Sequence, residues 1–154
     1  LADELIVLEL YIQLERIRFD NKFDYTITIN DSVDTEAVEI PPMIIQPFVE
    51  NAILHGLLPL PEGGHLSVIL QKENNTLLCI IEDNGIGRQQ AQKNKPVVEE
   101  KRKSHGIEIT LKRIKLFNKE HLVSKGVSIT DLKNAAGKSM GTRVLIPLAW
   151  ENAF

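Results

Sequence analysis

The stretch Ile40-Pro-Pro-Met-Ile-Ile-Gln-Pro-Phe-Val-Glu-Asn-Ala-Ile-Leu-His-Gly56 carries most of the information about the fold. Two prolines favour the first turn of a helix with its body over residues 43–55, and the final glycine favours its end. Pro47 lacks the amide N–H that a helix interior requires, so the regular part is predicted to follow it. Asn51 and His55 are four residues apart and therefore project from one face of this helix.

The sequence on both sides of this helix shows helix and strand patterns without strict alternation. Residues 1–19 carry two apolar stripes, which predict a helix with a packing partner on each side. Residues 88–104 are polar and contain Pro96, which indicates a mobile loop. The mixture favours a sheet that helices cover on one face. The predicted strands are residues 23–29, a hairpin of 65–73 and 76–82 joined by Asn74 and Asn75, 127–132 and 142–148, with a further helix over 106–121.

Composition excludes several classes of protein. The 154 residues fit one domain, and 43% apolar with 25% charged residues is ordinary for a globular protein. No apolar run approaches the ~20 residues needed to cross a bilayer. Cys79 is the single cysteine, which excludes an internal disulfide and favours a reducing cytoplasm. A net charge of -3 argues against nucleic acid as a partner, and the start at Leu1 suggests an excised fragment.

Three segments are candidates for chemistry: Pro47 to Gly56, Asp83-Asn-Gly-Ile-Gly87, and Ser104-His-Gly106-Ile-Glu-Ile-Thr110. Each alone has an ordinary structural explanation. The Asp83 segment is typical of a turn, because asparagine and glycine adopt positive φ readily. His55 is compatible with a helix end, where its charge complements the dipole, and Gly106 with an ordinary loop.

In this order, the three segments resemble the N box and the first two glycine boxes of the GHKL superfamily, which includes DNA gyrase, MutL, heat-shock chaperones and histidine kinases. Residues 137–147 are similar to the last turn and strand of that family, and residues 5–19 and 40–56 to the LytS-like sensor kinases in particular. The resemblance implies a Bergerat ATP-binding fold, an α/β (α+β) two-layer sandwich with a mixed, mainly antiparallel sheet covered on one face by helices. It implies that residues 1–20 are the C-terminal helix of a dimerisation and phosphoacceptor region, and 21–154 the catalytic domain.

The resemblance also implies roles for individual residues. The amide oxygen of Asn51 would bind Mg²⁺ together with triphosphate oxygens and water. Asp83 would accept a hydrogen bond from the adenine amino group, and the free amides of a helix that begins at Gly106 would receive phosphate oxygens. The expected ATP-binding residues are Asn51, His55, Asp83, Gly85, Gly87, His105, Gly106, Ile107 and Thr142.

Several positions depart from the family pattern. Leu54 stands where many histidine kinases have a phosphate-binding lysine, so Lys101, Arg102, Lys103 and Arg113 are the alternative phosphate contacts. Glu108 replaces a usual glycine of the second glycine box. Pro47 stands where gyrase-like hydrolases carry the glutamate that activates water, and proline cannot act as a base. Glu50 is a substitute catalytic candidate, with a structural or solvated acid as the equal alternative.

The family implies a protein-histidine kinase of a two-component signalling system, cut from its phosphoacceptor. Its cofactors would be ATP and Mg²⁺, and the γ-phosphoryl would pass to a histidine upstream of Leu1, in cis or in trans within a homodimer. A response regulator would be the next partner, and this part would be the cytoplasmic domain of an inner-membrane-anchored kinase. Two alternatives stay open: a gyrase- or MutL-like ATP hydrolase, and a nucleotide-responsive interaction module without phosphotransfer.

Overall fold

The computed structural model describes residues 1–93 and 97–150, with residues 97–105 described by their backbone alone. Five strands form one sheet of order β1-β2-β3-β5-β4, in which β1 runs parallel to β2 and every other neighbouring pair is antiparallel. The predicted mixed, mainly antiparallel sheet is thus confirmed. The elements are α1 (Ala2–Arg18), β1 (Phe23–Ile29), α2 (Gln46–Asn51) with a π-helical turn over Ala52–Leu57, β2 (Gly64–Glu73), β3 (Thr76–Asp83), α3 (Arg88–Lys93), α4 (Val97–Glu120), β4 (Ser128–Lys133) and β5 (Ser139–Ala149).

The core lies between one face of the sheet and the helices. Alternate residues along β2 and β3 are fully buried, and the strand register sets them in rows such as Val68 opposite Ile81 and Leu70 opposite Cys79. Alternation places these side chains on the same face, where they meet buried residues of α1, α2 and α4. Their neighbours on the other face, such as Ile80, are only partly buried. The prediction of helices on one face is therefore confirmed.

Helix α1 buries one of its two apolar stripes. Leu8 and Ile12 are almost fully buried in the common core, whereas Leu10, Leu14 and Ile17 are 54%, 65% and 70% exposed. The first stripe therefore has the partner that the sequence pattern predicts. The second stripe faces outward in this chain.

A carboxylate on α1 holds the start of the α2 segment. Glu4 accepts hydrogen bonds from the backbone N–H groups of Met43, Ile44 and Ile45, at 2.6, 2.9 and 3.1 Å. These amides precede α2, where a helix lacks internal acceptors and favours negative charge. α1 and α2 are thus joined by polar contacts as well as by apolar ones.

Three details of the sequence prediction are wrong. Residues 88–93 and 97–104 are not a loop, because α3 and the first part of α4 occupy them. Lysine, arginine, glutamine and glutamate are good helix formers, so a polar composition does not distinguish a loop from an exposed helix. Gly106 does not begin a helix but lies inside α4, where its carbonyl accepts the hydroxyl of Thr110 at 2.9 Å. Gly56 does not end its helix either, since the π-turn continues to Leu57.

The prediction for Pro47 holds in substance. The proline lies in the first turn of α2, where its missing N–H would have no helical acceptor.

Across residues 1–93 and 97–150, no helix combines the length and the apolarity that crossing a membrane requires.

Candidate functional site

A cavity of about 190 Å³ lies between α2 with its π-turn, the helix-covered face of β3 and β5, and α3. It contains residues from all three segments that the sequence singles out, together with Ile129 from the edge strand β4. The residues that line it are Phe48, Asn51, Ala52, His55, Gly56, Ile81, Asp83, Gly87, Arg88, Ala91, Gln92, Ile107, Ile129, Thr142 and Val144.

The floor of the cavity consists of two rows of residues that cross three strands. In an antiparallel sheet, residues directly opposite each other project from the same face. β5 lies between β3 and β4, so each row takes one residue from every strand. The polar row is Asp83, Thr142 and Asp131, and the apolar row is Ile81, Val144 and Ile129. All of them line the cavity except Asp131, which lies at its rim beside Arg88. The floor therefore offers a flat apolar surface beside a line of hydrogen-bonding groups.

Asp83 is the buried acid of this floor, with only 5% of its surface exposed. The N–H of Gly85 donates to its Oδ1 at 2.9 Å, and the backbone N–H of Thr142 also donates to the carboxylate. Burial raises the pKa of Asp83 to about 6, although the two amides oppose the shift, and the nearby charge of Glu82 raises it slightly further. At neutral pH the site thus holds a desolvated carboxylate that is a strong acceptor for a ligand N–H.

The loop after β3 lies directly against the π-turn, and glycine permits this approach. A Cβ on Gly56 would lie 2.7 Å from Oδ1 of Asp83, and a Cβ on Gly85 would overlap the backbone of Gly56. The N–H of Ile86 donates to the carbonyl of Gly56 at 3.0 Å. The helix that carries Asn51 and the loop that carries Asp83 are therefore locked together at two glycines.

A third close approach joins β5 to the end of β3. Gly141 has φ of +113°, which side chains rarely adopt, and a Cβ there would collide with the carbonyl oxygen of Asp83. Thr142 follows directly and takes its place beside Asp83 in the polar row. The closing glycine segment thus sets the position of Thr142.

The helix supplies the remaining polar wall of the cavity. Asn51 and His55 both line it, as their spacing on one helix face predicts. Glu50 is not among the lining residues: the amide of Gln46 donates to its Oε1 at 3.0 Å. Glu50 is also close enough to α1 to raise the pKa of the Tyr11 hydroxyl, although burial of that hydroxyl is the larger cause. Its contacts are those of an acid that joins α2 to α1.

The chain is similar in sequence to several sensor kinases. Sensor protein LytS of Oceanobacillus iheyensis is 32% identical over 111 residues, which are 70% of this chain and 19% of that protein. Sensor histidine kinase BtsS of Escherichia coli is 34% identical over 84 residues, which are 54% of this chain and 15% of that protein. The chain is recognised as a GHKL-type catalytic domain like that of the LytS-like sensor histidine kinases.

Solved structures agree with this assignment at the level of the fold. The mycobacterial sensor histidine kinase MprB superposes with a TM-score of 0.62 at 16% identity, over 97% of this chain and 95% of that one. The catalytic domain of histidine kinase ThkA gives 0.59 at 12% identity, over 97% and 93%. No protein-family model matches the chain. Because the chain spans less than a third of the curated relatives quoted above, the activity of the whole kinase is a separate question.

Within this domain, the expected phosphate contacts have different outcomes. Arg113 does not line the cavity, and its Nη2 donates to the carbonyl of Pro42 at 2.7 Å. Gly106 is also absent from the lining, whereas its neighbour Ile107 is present. The remaining candidates lie outside the residues whose side chains are described: Lys101, Arg102, Lys103 and His105.

Sequence reasoning missed one cation at the cavity. Among the lining side chains that the structure describes, Arg88 is the sole arginine or lysine. It follows Gly87 immediately, and that position next to the Asp83-Asn-Gly-Ile-Gly87 segment is the signal that could have identified it. Arg88 donates from Nε and Nη2 to the two carboxylate oxygens of Asp131, at 2.7 and 3.0 Å.

The described residues contain no preformed protein cage for a metal. In that part of the chain, no group of three or more histidine, cysteine, aspartate and glutamate residues could hold an ion. Asn51 offers one amide oxygen to the cavity, a ligand type that Mg²⁺ accepts while it keeps waters and phosphate oxygens. The donor set therefore fits a magnesium ion that arrives with a nucleotide.

Proposed function

We propose that this domain binds Mg·ATP in the cavity, with the adenine amino group donating to Asp83. The observation that carries the proposal is the buried carboxylate beside the apolar row of Ile81 and Val144. An aromatic base fits against that row, and its exocyclic N–H meets an acceptor already oriented by two backbone amides. Guanine would present a carbonyl oxygen at the same place and would be repelled, which gives preference for adenine.

The triphosphate would extend from the base towards Asn51 on α2. Asn51 would bind Mg²⁺ through its amide oxygen, and His55 on the same face would contact the phosphate region. The metal, when bound, would neutralise charge on the phosphate oxygens. Lys101, Arg102 and Lys103 stay candidates for phosphate contact, and His105 stays a candidate for ATP binding. A phosphate site at a free helix end is not proposed for Gly106, because α4 continues through that residue.

In the whole kinase, a nitrogen of an upstream histidine would attack the γ-phosphorus in line. The bond between γ-phosphorus and the bridging oxygen would break, and ADP would leave. The domain would act mainly by positioning the nucleotide and stabilising charge. Two residues support transfer to histidine over hydrolysis: Pro47 cannot activate water, and Glu50 is hydrogen-bonded to Gln46 outside the cavity lining.

The exposed stripe of α1 supports a proposal for the partners. Leu10, Leu14 and Ile17 present a continuous apolar surface, and an apolar surface of this kind gains free energy when another helix covers it. We assign residues 1–20 to the dimerisation and phosphoacceptor region of the same kinase, and residues 21–154 to the catalytic domain. A response regulator would accept the phosphoryl group, and the domain would lie on the cytoplasmic side of a kinase anchored elsewhere in the inner membrane.

Radiolabelled ATP tests the transfer reaction. The expected result is slow turnover by residues 1–154, and γ-label on a longer chain that includes the upstream segment, in an acid-labile, base-stable form typical of a phosphoramidate. Replacement of the upstream histidine should abolish the label. Rapid phosphate release by residues 1–154 would favour the hydrolase. Nucleotide binding without label in the longer chain would favour the interaction module.

A further inference from the structure

Arg88 and Asp131 form a two-point contact at the rim of the cavity. The guanidinium donates from two nitrogens to two carboxylate oxygens, at 2.7 and 3.0 Å, between residues 43 positions apart in the chain. A planar fork that meets a carboxylate in this way fixes orientation as well as distance, and it is stronger than a single ion pair. The side chains are 47% and 25% exposed, so solvent screens the pair only in part.

The position of the pair connects three walls of the cavity. Asp131 lies in the polar row opposite Thr142, which in turn lies opposite Asp83. Arg88 begins α3, and this short helix contacts the π-turn and adds Ala91 to the lining. The ion pair therefore joins the chain that leaves β3 to the edge strand β4 on the far side of β5.

Beyond its pairing with β5, strand β4 is joined to α3 by this contact. It is an edge strand, paired only with β5, and its residues are mostly exposed. Its contribution to the apolar floor is Ile129, two residues before Asp131 on the same face. A shift of β4 or α3 would widen the apolar surface on which a flat base rests.

We propose that Arg88 and Asp131 form a latch that sets the width of the adenine end of the cavity and so strengthens nucleotide binding, an inference that rests on the proposed function. Arg88 is a positioning residue in this account and does not contact phosphate. Arg88 follows the loop around Asp83 and so lies at the adenine end of the cavity. Asn51 lies five residues before Gly56, the helix residue that approaches Asp83, and this separation is roughly 7 Å along the helix axis.

The electrostatics of the rim agree with this role. The guanidinium lowers the pKa of Asp131 from its ordinary value, chiefly through the hydrogen bonds. Asp131 is therefore charged at neutral pH and compensated by Arg88. Loss of either partner would free α3 from β4 and leave a single uncompensated charge at the rim.

Calorimetry with ADP and with adenosine tests the latch in the 154-residue chain. Arg88→Gln and Asp131→Asn should each weaken both ligands by about three- to tenfold, because each removes the same contact. The double variant should be no weaker than either single one, which is the signature of a shared interaction. Adenosine lacks phosphate, so an equal loss for both ligands separates positioning from phosphate contact.

The chain offers a matched control on the opposite face of the sheet. Arg143 donates to Glu82 at 2.7 Å between β5 and β3, one residue along each strand from Thr142 and Asp83. Alternation turns this pair away from the cavity, and neither residue lines it. Arg143→Gln should leave both affinities within about twofold of the parent chain.

Each outcome decides the proposal. If the parent chain fails to bind ADP, the proposed function is overturned and the latch with it. If the parent binds but the single variants are unchanged, or their effects add in the double variant, only the latch is overturned. Weaker ADP binding with unchanged adenosine binding, or tighter ADP binding in Asp131→Asn, would show that Arg88 serves phosphate and would also overturn the latch.

Discussion

Replacement of Asp83 by asparagine should stabilise the empty domain at alkaline pH while it removes nucleotide binding. The pKa of Asp83 rises from 3.8 to about 6 on folding, so the folded state holds the proton more tightly than the unfolded state. The stability that this acid contributes is therefore complete below pH 4 and is lost as the pH rises through 6. At pH 8 the fold carries the cost of an ionised, desolvated carboxylate.

The magnitude follows from the shift. At about 1.4 kcal/mol for each pKa unit, the cost approaches ~3 kcal/mol, which is an upper limit. Asparagine keeps an oxygen for the N–H of Gly85 but presents an NH₂ group where the carboxylate had a second acceptor. We therefore expect Asp83→Asn to raise the free energy of unfolding at pH 8 by about 1–2 kcal/mol, and by nearly nothing at pH 4.

Urea unfolding followed by circular dichroism at pH 4 and pH 8 measures this difference. Asp31→Asn, an exposed carboxylate in the turn after β1, is the matched control and should show no comparable gain at pH 8. The reasoning would be refuted if Asp83→Asn were less stable than the parent at pH 8, or if its effect were the same at both values. A gain in stability with a loss of binding is expected of a residue kept for function.

The remaining predictions concern the supports of the site. Gly56→Ala should weaken ADP binding about tenfold or more, because its Cβ would displace the buried carboxylate of Asp83. A Cβ at Gly126 would have no atom within 4 Å, so Gly126→Ala should leave ADP binding unchanged in calorimetry. Glu4→Ala should lower the free energy of unfolding by about 2–3 kcal/mol, since three backbone N–H groups lose a charged acceptor. Glu36 is exposed, so Glu36→Ala should leave the free energy of unfolding unchanged. Equal urea midpoints for the two variants would contradict this. Residues 88–93 should gain hydrogen-exchange protection when Mg·ATP binds, because α3 lines the cavity, and unchanged exchange rates would argue against contact between α3 and the nucleotide.

Much of the sheet could be predicted from local patterns. The period-two alternation of β1 and of the β2–β3 hairpin reflects burial of one face, and the Asn74-Asn75 turn joins the hairpin as predicted. The segment 88–104 was mispredicted because its charged residues suit a solvated helix as well as a loop. Gly106 was misplaced for a related reason: one glycine costs a helix only about 1 kcal/mol and does not have to begin or end it.

The residues of the site also include some that local sequence patterns predict and others that depend on tertiary contacts. Asn51, His55, Asp83, Gly87, Ile107 and Thr142 are brought to one cavity as expected, because each belongs to a segment with a recognisable local pattern. The exclusion of Glu50 from the cavity lining depends on its contact with Gln46 and its proximity to α1, which spacing along the helix does not specify. The contact between Arg88 and Asp131 depends on the register of β4 against β5, so no local pattern predicts it.

The most direct test of the central claim is calorimetric titration of residues 1–154 with Mg·ATP and with Mg·GTP, repeated with Asp83→Asn. The account predicts one ATP site for each chain, much weaker binding of GTP, and loss of ATP binding in the variant. Equal affinity for the two purines, or unchanged ATP affinity in Asp83→Asn, would contradict the assignment of this cavity as an adenine-nucleotide site.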